Sequence, residues 1–273
     1  MQIIVGLALA KKIRQDIKTQ IHDLGFIPGL AVILVGADPA SHIYVGKKEK
    51  ACVEAGIHFE KYLYFHTEPP EKILDLIEKL NQRDDIHGIL VQLPLPSHFD
   101  KDLIIKSIVP KKDVDGFHPE NIALLDQGQA AMIPPVYMAI LELIKSTGAD
   151  LSGKKISIIA NSEIFSAPLA KILQAKGGEV KIILPPFENI EETIGLSDIT
   201  ITATGKPNFI KGEWLKDGAI VIDCGTTRVG ERVVGDVDFE STKQKNGWIT
   251  PVPGGVGPMT IAMLLRNLVR LAK

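Results

Sequence analysis

The chain has 273 residues, enough for one large or two ordinary domains, and a formal net charge of −2. This near-neutral balance gives no electrostatic case for nucleic acid or an anionic membrane as a partner. Its two cysteines, Cys52 and Cys224, lack ligand-like spacing, and its histidines form no metal-binding pair. We therefore expect a reduced, cytoplasmic protein that holds no metal. The apolar run near the N-terminus, IIVGLALA, is too short to span a bilayer, so no targeting or membrane segment is expected.

Apolar runs and amphipathic stretches alternate through the first 150 residues. Their periods predict helices over residues 7–24, 39–55 and 70–82, and strands over residues 30–36, 57–65 and 88–93. Continuously apolar strands that alternate with helices are typical of a parallel sheet covered on both faces. In such sheets, ligands bind at the carboxyl ends of the strands.

The helix over residues 39–55 has well-defined ends and one apolar face. Asp38 is a good N-cap, Pro39 suits the first helical position, and Gly56 supplies a C-terminal stop. Wound at about 100° per residue, one arc of about 120° holds a mixed set of side chains. This set is Ser41, Tyr44, Val45, Lys48, Ala51, Cys52 and Ala55.

Lys48 is the only charge of the run KKEK that falls on this arc, whereas Lys47, Glu49 and Lys50 fall on the solvent side. Lys48 is either a snorkelling side chain at the edge of the face or a lysine in a partly dry cleft. In the second case, desolvation lowers its pKa toward a value useful in acid–base chemistry. Tyr44 and Ser41 lie one and about two turns before it, so all three side chains can meet one ligand.

Two polar residues follow predicted strands at the same sheet edge. Gln92 interrupts the apolar run GILVQLPLP, and Asp115 lies in PKKDVDGFH. Taken singly, Gln92 is a strand-end amide satisfied by loop backbone, and the Asp-Val-Asp-Gly run is a turn. Together with Lys48, they predict a cation, an amide and a carboxylate at one edge.

The second half begins with a predicted helix over residues 134–148, where we place the domain boundary. A second α/β unit follows, with a strand over 155–160, a helix over 165–176, and strands over 179–184, 198–203 and 218–223. This order is Rossmann-like. The first strand–helix turn, ANSEIFSAP, lacks the glycines of the dinucleotide fingerprint, although Ala160, Ser162 and Ser166 are small.

The last segment, TPVPGGVGPMT, is a Pro/Gly loop, and Pro258 begins the predicted final helix. The Gly-Gly-x-Gly loop serves either the turn alone or close approach to a ligand. The helix is either a simple terminal helix or one that packs back across the first domain. Its predicted apolar stripe is Ile261, Leu264, Leu265, Leu268 and Leu271, with Arg266, Asn267, Arg270 and Lys273 toward solvent.

In this set of motifs the chain resembles the bifunctional methylenetetrahydrofolate dehydrogenase/methenyltetrahydrofolate cyclohydrolase (FolD) family. The segments that carry the resemblance are VGADPASHIYVGKKEKA, GILVQLPLP, PKKDVDGFHPENIALL, GEWLKDGAIVIDCG, VVGDVDF and TPVPGGVGPMTIAML. They span nearly the whole chain in order. The resemblance implies a two-domain α/β protomer with the substrate between its domains, and a homodimer formed through the nucleotide domain. It places a folate-binding catalytic domain at residues 1–137, completed by helix 258–273, and a Rossmann-like nucleotide-binding domain at residues 138–257.

The family pattern also implies roles for individual residues. Lys48 would be the central catalytic lysine, Tyr44 would stack on the folate ring system, and Gln92 would hold and tune Lys48. Asp115 would bind the amine-bearing edge of the pterin. The remaining substrate-binding residues would be Ser41, lining the pocket, and Gly254, Gly255 and Thr260 on its far wall.

The implied cofactor is NADP, the family default. Its predicted binding residues are Ala160, Asn161, Ser162, Thr204, Gly205 and Thr226. Here the chain departs from the family, because Asn161 stands where many members carry an arginine, and Ala160 and Ser166 replace glycines. An arginine is the natural bidentate partner of a ribose phosphate, so NAD is a second possible cofactor. Lys181 and Lys206 are the lysines nearest in sequence.

The predicted chemistry has two steps in one-carbon metabolism. Methylenetetrahydrofolate gives a hydride to a nicotinamide cofactor, and water then opens the methenyl product to formyltetrahydrofolate. The alternatives are a cyclohydrolase with a degenerate nucleotide site and a non-catalytic folate-binding protein. Without the resemblance, the main rival is another two-domain nicotinamide dehydrogenase, which does not explain Lys48, Gln92 and Asp115 together.

Overall fold

The computed structural model describes residues 1–129 and 132–273. The described chain forms two compact units. We call Ala10–Pro135 with Ile261–Lys273 the Lys48 unit, and Met1–Leu9 with Val136–Thr260 the six-stranded unit.

The helices are α1 Gly6–Leu24, α2 Pro39–Ala55, α3 Pro70–Asn81, α4 Lys101–Ser107, α5 Pro119–Asp126, α6 Pro135–Ser146, α7 Glu163–Ala175, α8 Ile190–Leu196 and α9 Val256–Leu271. The strands are β1 Gln2–Ile3, β2 Gly29–Val35, β3 His58–Tyr64, β4 Gly88–Val91, β5 Lys155–Ala160, β6 Glu179–Ile183, β7 Ile199–Ala203, β8 Ile220–Asp223, β9 Thr227–Val229, β10 Arg232–Val234 and β11 Trp248–Ile249.

The Lys48 unit is built on a parallel sheet in the order β3-β2-β4. Every residue of β2 and β4 is buried, as their unbroken apolar sequences require. The isoleucines of α3, Ile73 and Ile77, are fully buried against this sheet and join its core. Helix α2 follows β2, so its N-terminal turn begins close to the carboxyl end of the central strand.

The six-stranded unit has a sheet in the order β1-β11-β8-β7-β5-β6 with only parallel pairs. The predicted α/β class, with a Rossmann-like second half, is confirmed. One assignment differs from the sequence analysis, which put the N-terminal residues in the first domain. Gln2 pairs with Trp248 and Ile3 with Ile249, and these backbone bonds bring residues 1–9 into the six-stranded unit.

Two helices differ from their predictions for local reasons. Helix α7 begins at Glu163 and not at residue 165, because Ser162 caps it by accepting the N–H of Ile164 at 3.2 Å. On α9, Asn267 was predicted to face solvent, but it is buried with a relative exposure of 2%. Its amide donates to the carbonyls of Val114 and Ile133, and these bonds make its burial tolerable.

Among the described residues, no helix has both the length and the apolar character needed to cross a bilayer. The same part of the chain holds no group of three or more His, Cys, Asp or Glu side chains placed to bind a metal ion.

Candidate active site

Helix α2 presents the face that its sequence predicts. Its buried residues are Ser41, Val45, Lys48, Ala51, Cys52 and Ala55. Asp38 caps the helix by accepting the N–H of Ser41 at 2.8 Å and its hydroxyl at 2.7 Å. Gly56 ends the helix in the left-handed conformation, with φ of 80°. Six of the seven residues of the predicted arc are buried and Tyr44 is half-buried, so the arc is confirmed, and Lys48 belongs to the buried side.

Lys48 is the buried cation of this face, with a relative exposure of 6%. Its Nζ donates to Gln92 Oε1 at 2.9 Å and lies 5.3 Å from the ring centroid of Tyr44. Burial lowers the pKa of Lys48, and the neighbouring Asp115 carboxylate opposes that shift. The ammonium is thus held by one amide and one ring, in a setting that favours proton release more than solvent does.

Gln92 is fixed at both ends of its amide. It directly follows β4, and its N–H donates to the carbonyl of Ile33 in β2. Its Nε2 donates to the carbonyl of Leu93 at 2.6 Å, which leaves Oε1 to accept from Lys48. The simpler interpretation, an amide satisfied by loop backbone, holds for the nitrogen and not for the oxygen.

The two aspartates of the KDVDG loop differ in their hydrogen bonds. Asp113 is buried and accepts the N–H groups of Gly116 and His118 and the side-chain amide of Asn121. Asp115 makes no hydrogen bond to any other residue in the described part of the chain. Burial raises its pKa to about 6, with Lys48 lowering it and Asp113 raising it. Asp113 therefore builds the turn, and Asp115 is left with its oxygens available to a ligand.

The KDVDG loop is held from two sides by residues that sequence analysis missed. Lys112 is buried and donates to two carbonyls at the end of helix α3, at 3.0 Å to Leu80 in its last turn and 2.5 Å to Arg83 just beyond it. Asn267 of α9 donates to the carbonyl of Val114 at 3.1 Å, next to Asp115. Lys112 sits in a charged run that is typical of a surface. The one available signal for Asn267 was its position inside an otherwise apolar helix.

Cys52, one turn after Lys48, is fully buried. Burial raises the pKa of its thiol to about 12, although Lys48 opposes the shift. It is a neutral thiol at physiological pH, so Lys48 and Asp115 are the groups of this cluster whose pKa values are shifted toward neutrality.

The residues predicted to bind cofactor follow three neighbouring strands of the six-stranded sheet. Ala160, Asn161 and Ser162 follow or end β5, Thr204 and Gly205 follow β7, and Thr226 follows β8. Their strands are parallel, so all six residues lie at the carboxyl edge. A Cβ placed on Gly205 would lie 3.5 Å from Asn161 Nδ2, which shows that the first two loops are adjacent.

This edge fits a dinucleotide in several respects. Helix α7 starts there, and the N–H groups of a helix N-terminus favour a phosphate. Asn161, Gly205 and Thr226 are exposed, whereas Thr204 is buried and its N–H donates to Asp236 Oδ2 at 2.5 Å. Asn161 is therefore an exposed, neutral polar group at the start of this turn.

The end of β6, where a Rossmann fold meets the adenosine ribose, has an apolar sequence, Leu184-Pro185-Pro186-Phe187. Lys206 Nζ lies 4.6 Å from the ring centroid of Phe187 and 5.0 Å from that of Phe209. Lys181 is occupied elsewhere, because it donates to Thr193 Oγ1 at 3.0 Å. Of the two lysines considered from sequence, Lys206 alone reaches this edge.

The predicted far-wall residues belong to the six-stranded unit as the structure divides the chain. The carbonyl of Gly254 accepts the N–H of Leu7, and a Cβ on Gly6 would lie 2.1 Å from the carbonyl oxygen of Gly255. Thr260 donates its hydroxyl to the carbonyl of Val256. Their part in folate binding stays a prediction.

Comparison with known proteins gives consistent matches over both units. Residues 4–115 match the sequence profile of the tetrahydrofolate dehydrogenase/cyclohydrolase catalytic domain, and residues 134–273 match that of its NAD(P)-binding domain. The bifunctional protein FolD of Acetivibrio thermocellus is 45% identical, over 100% of this chain and 97% of that protein.

Two solved structures extend the comparison. The crystal structure of bifunctional FolD from Campylobacter jejuni has a TM-score of 0.95 at 43% identity, covering 100% of this chain and 98% of that chain. FolD of Trypanosoma brucei, complexed with NADP cofactor and an inhibitor, has a TM-score of 0.95 at 34% identity, covering 99% and 96%.

The fold and the buried lysine define a two-domain α/β enzyme with a catalytic domain and a nicotinamide-nucleotide domain. The chain belongs to the tetrahydrofolate dehydrogenase/cyclohydrolase family. It is a bifunctional enzyme that oxidises methylenetetrahydrofolate with a nicotinamide cofactor and hydrolyses the methenyl product to formyltetrahydrofolate, which confirms the main prediction. The cyclohydrolase-only alternative gains no support from these relatives.

Proposed function

We propose that Lys48 is the general acid–base group of the hydrolysis and that Gln92, Asp115 and Tyr44 bind and orient the folate around it. The single observation that carries this is the Lys48–Gln92 hydrogen bond, 2.9 Å long and beside a carboxylate with no hydrogen bond among the described residues. Burial lowers the pKa of Lys48, so its neutral form is more accessible than that of a solvated lysine. That property suits the addition of water and the ring opening that follows.

Gln92 and Asp115 have separate parts in this proposal. Gln92 Oε1 fixes the position of Lys48 Nζ, so it is a positioning residue toward the lysine as well as a contact for substrate. Asp115 offers two oxygens to N–H groups of the pterin, a pairing that carboxylates make well. Ser41 donates its hydroxyl to Asp38. It therefore lines this face but has no hydroxyl hydrogen left to donate to the folate.

The proposed cofactor is NADP. In the apolar run 184–187 after β6 there is no carboxylate to repel a 2′-phosphate, and Lys206 supplies a cation close by. Asn161 can donate its amide to the cofactor, but as a neutral group it discriminates less than an arginine. We therefore expect NADP to be preferred and NAD to be accepted. When bound, the nicotinamide supplies the hydride acceptor, and the chain supplies binding and orientation.

The proposal includes a homodimer formed through the nucleotide domain, a cytoplasmic location, and folate contacts from Gly254, Gly255 and Thr260. The family pattern supports the dimer, and two unpaired cysteines are consistent with a reducing compartment. Analytical ultracentrifugation of the purified chain tests the dimer. A monomer at micromolar concentration would refute it.

The experiment that tests the function is a parallel assay on one preparation. Oxidation of methylenetetrahydrofolate is followed with NADP and with NAD, and hydrolysis of methenyltetrahydrofolate is followed without either. We expect both activities, with the higher kcat/KM for NADP. Hydrolysis without oxidation by either cofactor would mean that the nucleotide edge has lost its redox role. Equal kcat/KM values would refute the preference for NADP.

A further inference from the structure

Two buried aspartates lie beneath the loops of the nucleotide edge, and nothing in the proposed mechanism uses them. Asp223 ends β8 with a relative exposure of 3%, and Asp236 is fully buried. The backbone N–H of Asp236 donates to Asp223 Oδ1 at 3.0 Å, so the two residues are in direct contact. Among the described residues, neither carboxylate has an ion-pair partner.

Asp223 is surrounded by hydrogen-bond donors. Its Oδ1 accepts the N–H of Gly225 at 2.9 Å and the hydroxyl of Thr202 at 3.2 Å, in addition to the N–H of Asp236. Its Oδ2 accepts the N–H of Val237 at 2.9 Å. Four donors stabilise a negative charge and leave no acceptor for a proton, so Asp223 fits the ionised form.

Asp236 has the opposite surroundings. Its Oδ2 accepts the N–H of Thr204, but its Oδ1 is buried and has no hydrogen-bond partner among the described residues. A Cβ added to Gly225 would lie 2.4 Å from that oxygen, so Oδ1 packs against a bare Cα. A negative charge on Oδ1 would lie beside Asp223 without a donor of its own. Burial raises the pKa of Asp236, although hydrogen bonds from Thr204, Gly205 and Lys206 oppose that shift, so the arrangement favours a neutral acid.

Among the described residues, the groups that face Asp236 include no cation that pairs with it. Asp223 and Cys224 are its titratable neighbours, and burial raises the pKa of Asp223 to about 6 and the pKa of the Cys224 thiol well above its usual value. The Lys206 ammonium lies over Phe187 and Phe209. Lys211, next to the bridge between Ile210 and Val237, pairs with Asp238 at 3.2 Å.

We propose that Asp223 and Asp236 form a pair with a single negative charge, in which Asp236 keeps a proton on Oδ1 and positions the cofactor loops. Asp236 holds Thr204 through its N–H, and Asp223 holds Gly225, the residue before Thr226. Both loops belong to the proposed cofactor site, so the effect on cofactor affinity rests on the proposed function. The charge state of the pair does not depend on the proposed function. Loss of the proton at high pH places a second negative charge under loops that bind an anionic ligand.

The same substitution at the two positions separates their roles. Asp236→Asn copies a protonated acid, because the amide keeps one acceptor oxygen for Thr204 and places N–H groups where the proton was. Asp223→Asn instead turns an amide nitrogen toward N–H donors. We expect Asp236→Asn to fold with a Tm close to wild type and Asp223→Asn to lower the Tm or to fail to fold.

The pH dependence of the Tm without ligand tests the charge state. A carboxyl whose pKa is raised by folding costs the protein stability as pH rises from the pKa of the unfolded chain to that of the folded state, and the loss is complete above the folded-state pKa. Asp236→Asn does not titrate at this position, so its Tm should equal that of wild type in acid, exceed it increasingly as pH rises toward the folded-state pKa of Asp236, and keep that advantage above it. A variant that is less stable than wild type at every pH would overturn the proposal, even if Asp223→Asn does not fold.

Cofactor affinity tests positioning. The Kd for NADP is measured by calorimetry at about pH 6 and about pH 9 for wild type, Asp236→Asn and Asp236→Ala. We expect equal affinities for the first two in acid and about 2- to 10-fold tighter binding by Asp236→Asn at the higher pH, the effect of one nearby charge. Asp236→Ala should bind more weakly at both. Weaker binding by Asp236→Asn than by Asp236→Ala would overturn the positioning role. Absence of NADP binding by wild type would instead refute the proposed cofactor site, and the Tm series would still decide the charge state.

Discussion

The two units bury acidic side chains in opposite ways. In the Lys48 unit, Asp115 lies beside a buried cation and makes no hydrogen bond among the described residues. In the six-stranded unit, Asp223 and Asp236 are buried without an ion pair among the described residues, and Asp223 is saturated by backbone and hydroxyl donors. Burial alone therefore does not identify a binding group. The number of protein donors that already satisfy the carboxylate distinguishes Asp115, which is available to a ligand, from Asp223, which holds loops.

The largest effect should come from removing the Lys48 cation, which lies beside the unsaturated carboxylate of Asp115. Lys48→Met keeps the length and packing of the side chain but removes the acid–base group, so hydrolysis should fall by about 10²- to 10⁴-fold. Folate binding should weaken far less. The rate is measured from the loss of methenyltetrahydrofolate absorbance, and binding by calorimetry.

The matched control is Lys47→Met, the adjacent lysine on the exposed side of α2. It removes the same charge from the same helix and should leave hydrolysis within about twofold of wild type, as expected for a solvated lysine. Hydrolysis retained by Lys48→Met would refute the role of Lys48.

A second test contrasts the two aspartates of one loop. Asp113→Asn places an amide among three donors and should lower the free energy of unfolding by about 1–3 kcal/mol, measured in urea. Asp115→Asn should leave stability nearly unchanged and raise the KM for folate. It also removes a charge that raises the pKa of Lys48, so the lysine-dependent limb of the pH–rate profile should move to lower pH. An unshifted limb would show that the charge of Asp115 does not influence the pKa of Lys48.

The parts predicted from sequence are those fixed by local periodicity. The arc of α2 that carries Ser41, Lys48 and Cys52 follows from 3.6 residues per turn, and the buried strands follow from unbroken apolar runs. The position of Gln92 after β4 follows in the same way. These features need no knowledge of distant residues.

The parts that could not be predicted depend on distant partners or loop backbone. Strand β1 exists because Gln2 meets Trp248, and Asn267 is buried because it bonds Val114, 153 residues earlier. Asp113 builds the turn and Asp115 is left available to a ligand because of the path of one turn. That path places backbone N–H groups around Asp113 and not around Asp115. A residue-type pattern does not carry that information.

A smaller effect is expected at Asn267, which supports the loop from behind. Asn267→Leu leaves the carbonyls of Val114 and Ile133 without their donor and should cost about 1–3 kcal/mol of unfolding free energy. Because the loop carries Asp115, the KM for folate should also rise. As a control, Arg270→Leu changes an exposed position of the same helix and should alter neither quantity. A stable Asn267→Leu variant with an unchanged KM would show that Asp115 is positioned without this contact.

The smallest effect is expected at the nucleotide edge, where one departure from the family can be reversed. Asn161→Arg restores a guanidinium at the turn after β5, where it can reach a 2′-phosphate, and should raise the NADP-to-NAD ratio of kcat/KM by about tenfold, the value of one charge-assisted bond. Gln174→Arg adds the same charge at an exposed position near the other end of α7 and should leave the ratio unchanged. If both variants raise the ratio equally, the gain comes from net charge and not from a phosphate contact. If neither does, the 2′-phosphate does not reach the turn, and Lys206→Met becomes the variant that should lower the ratio.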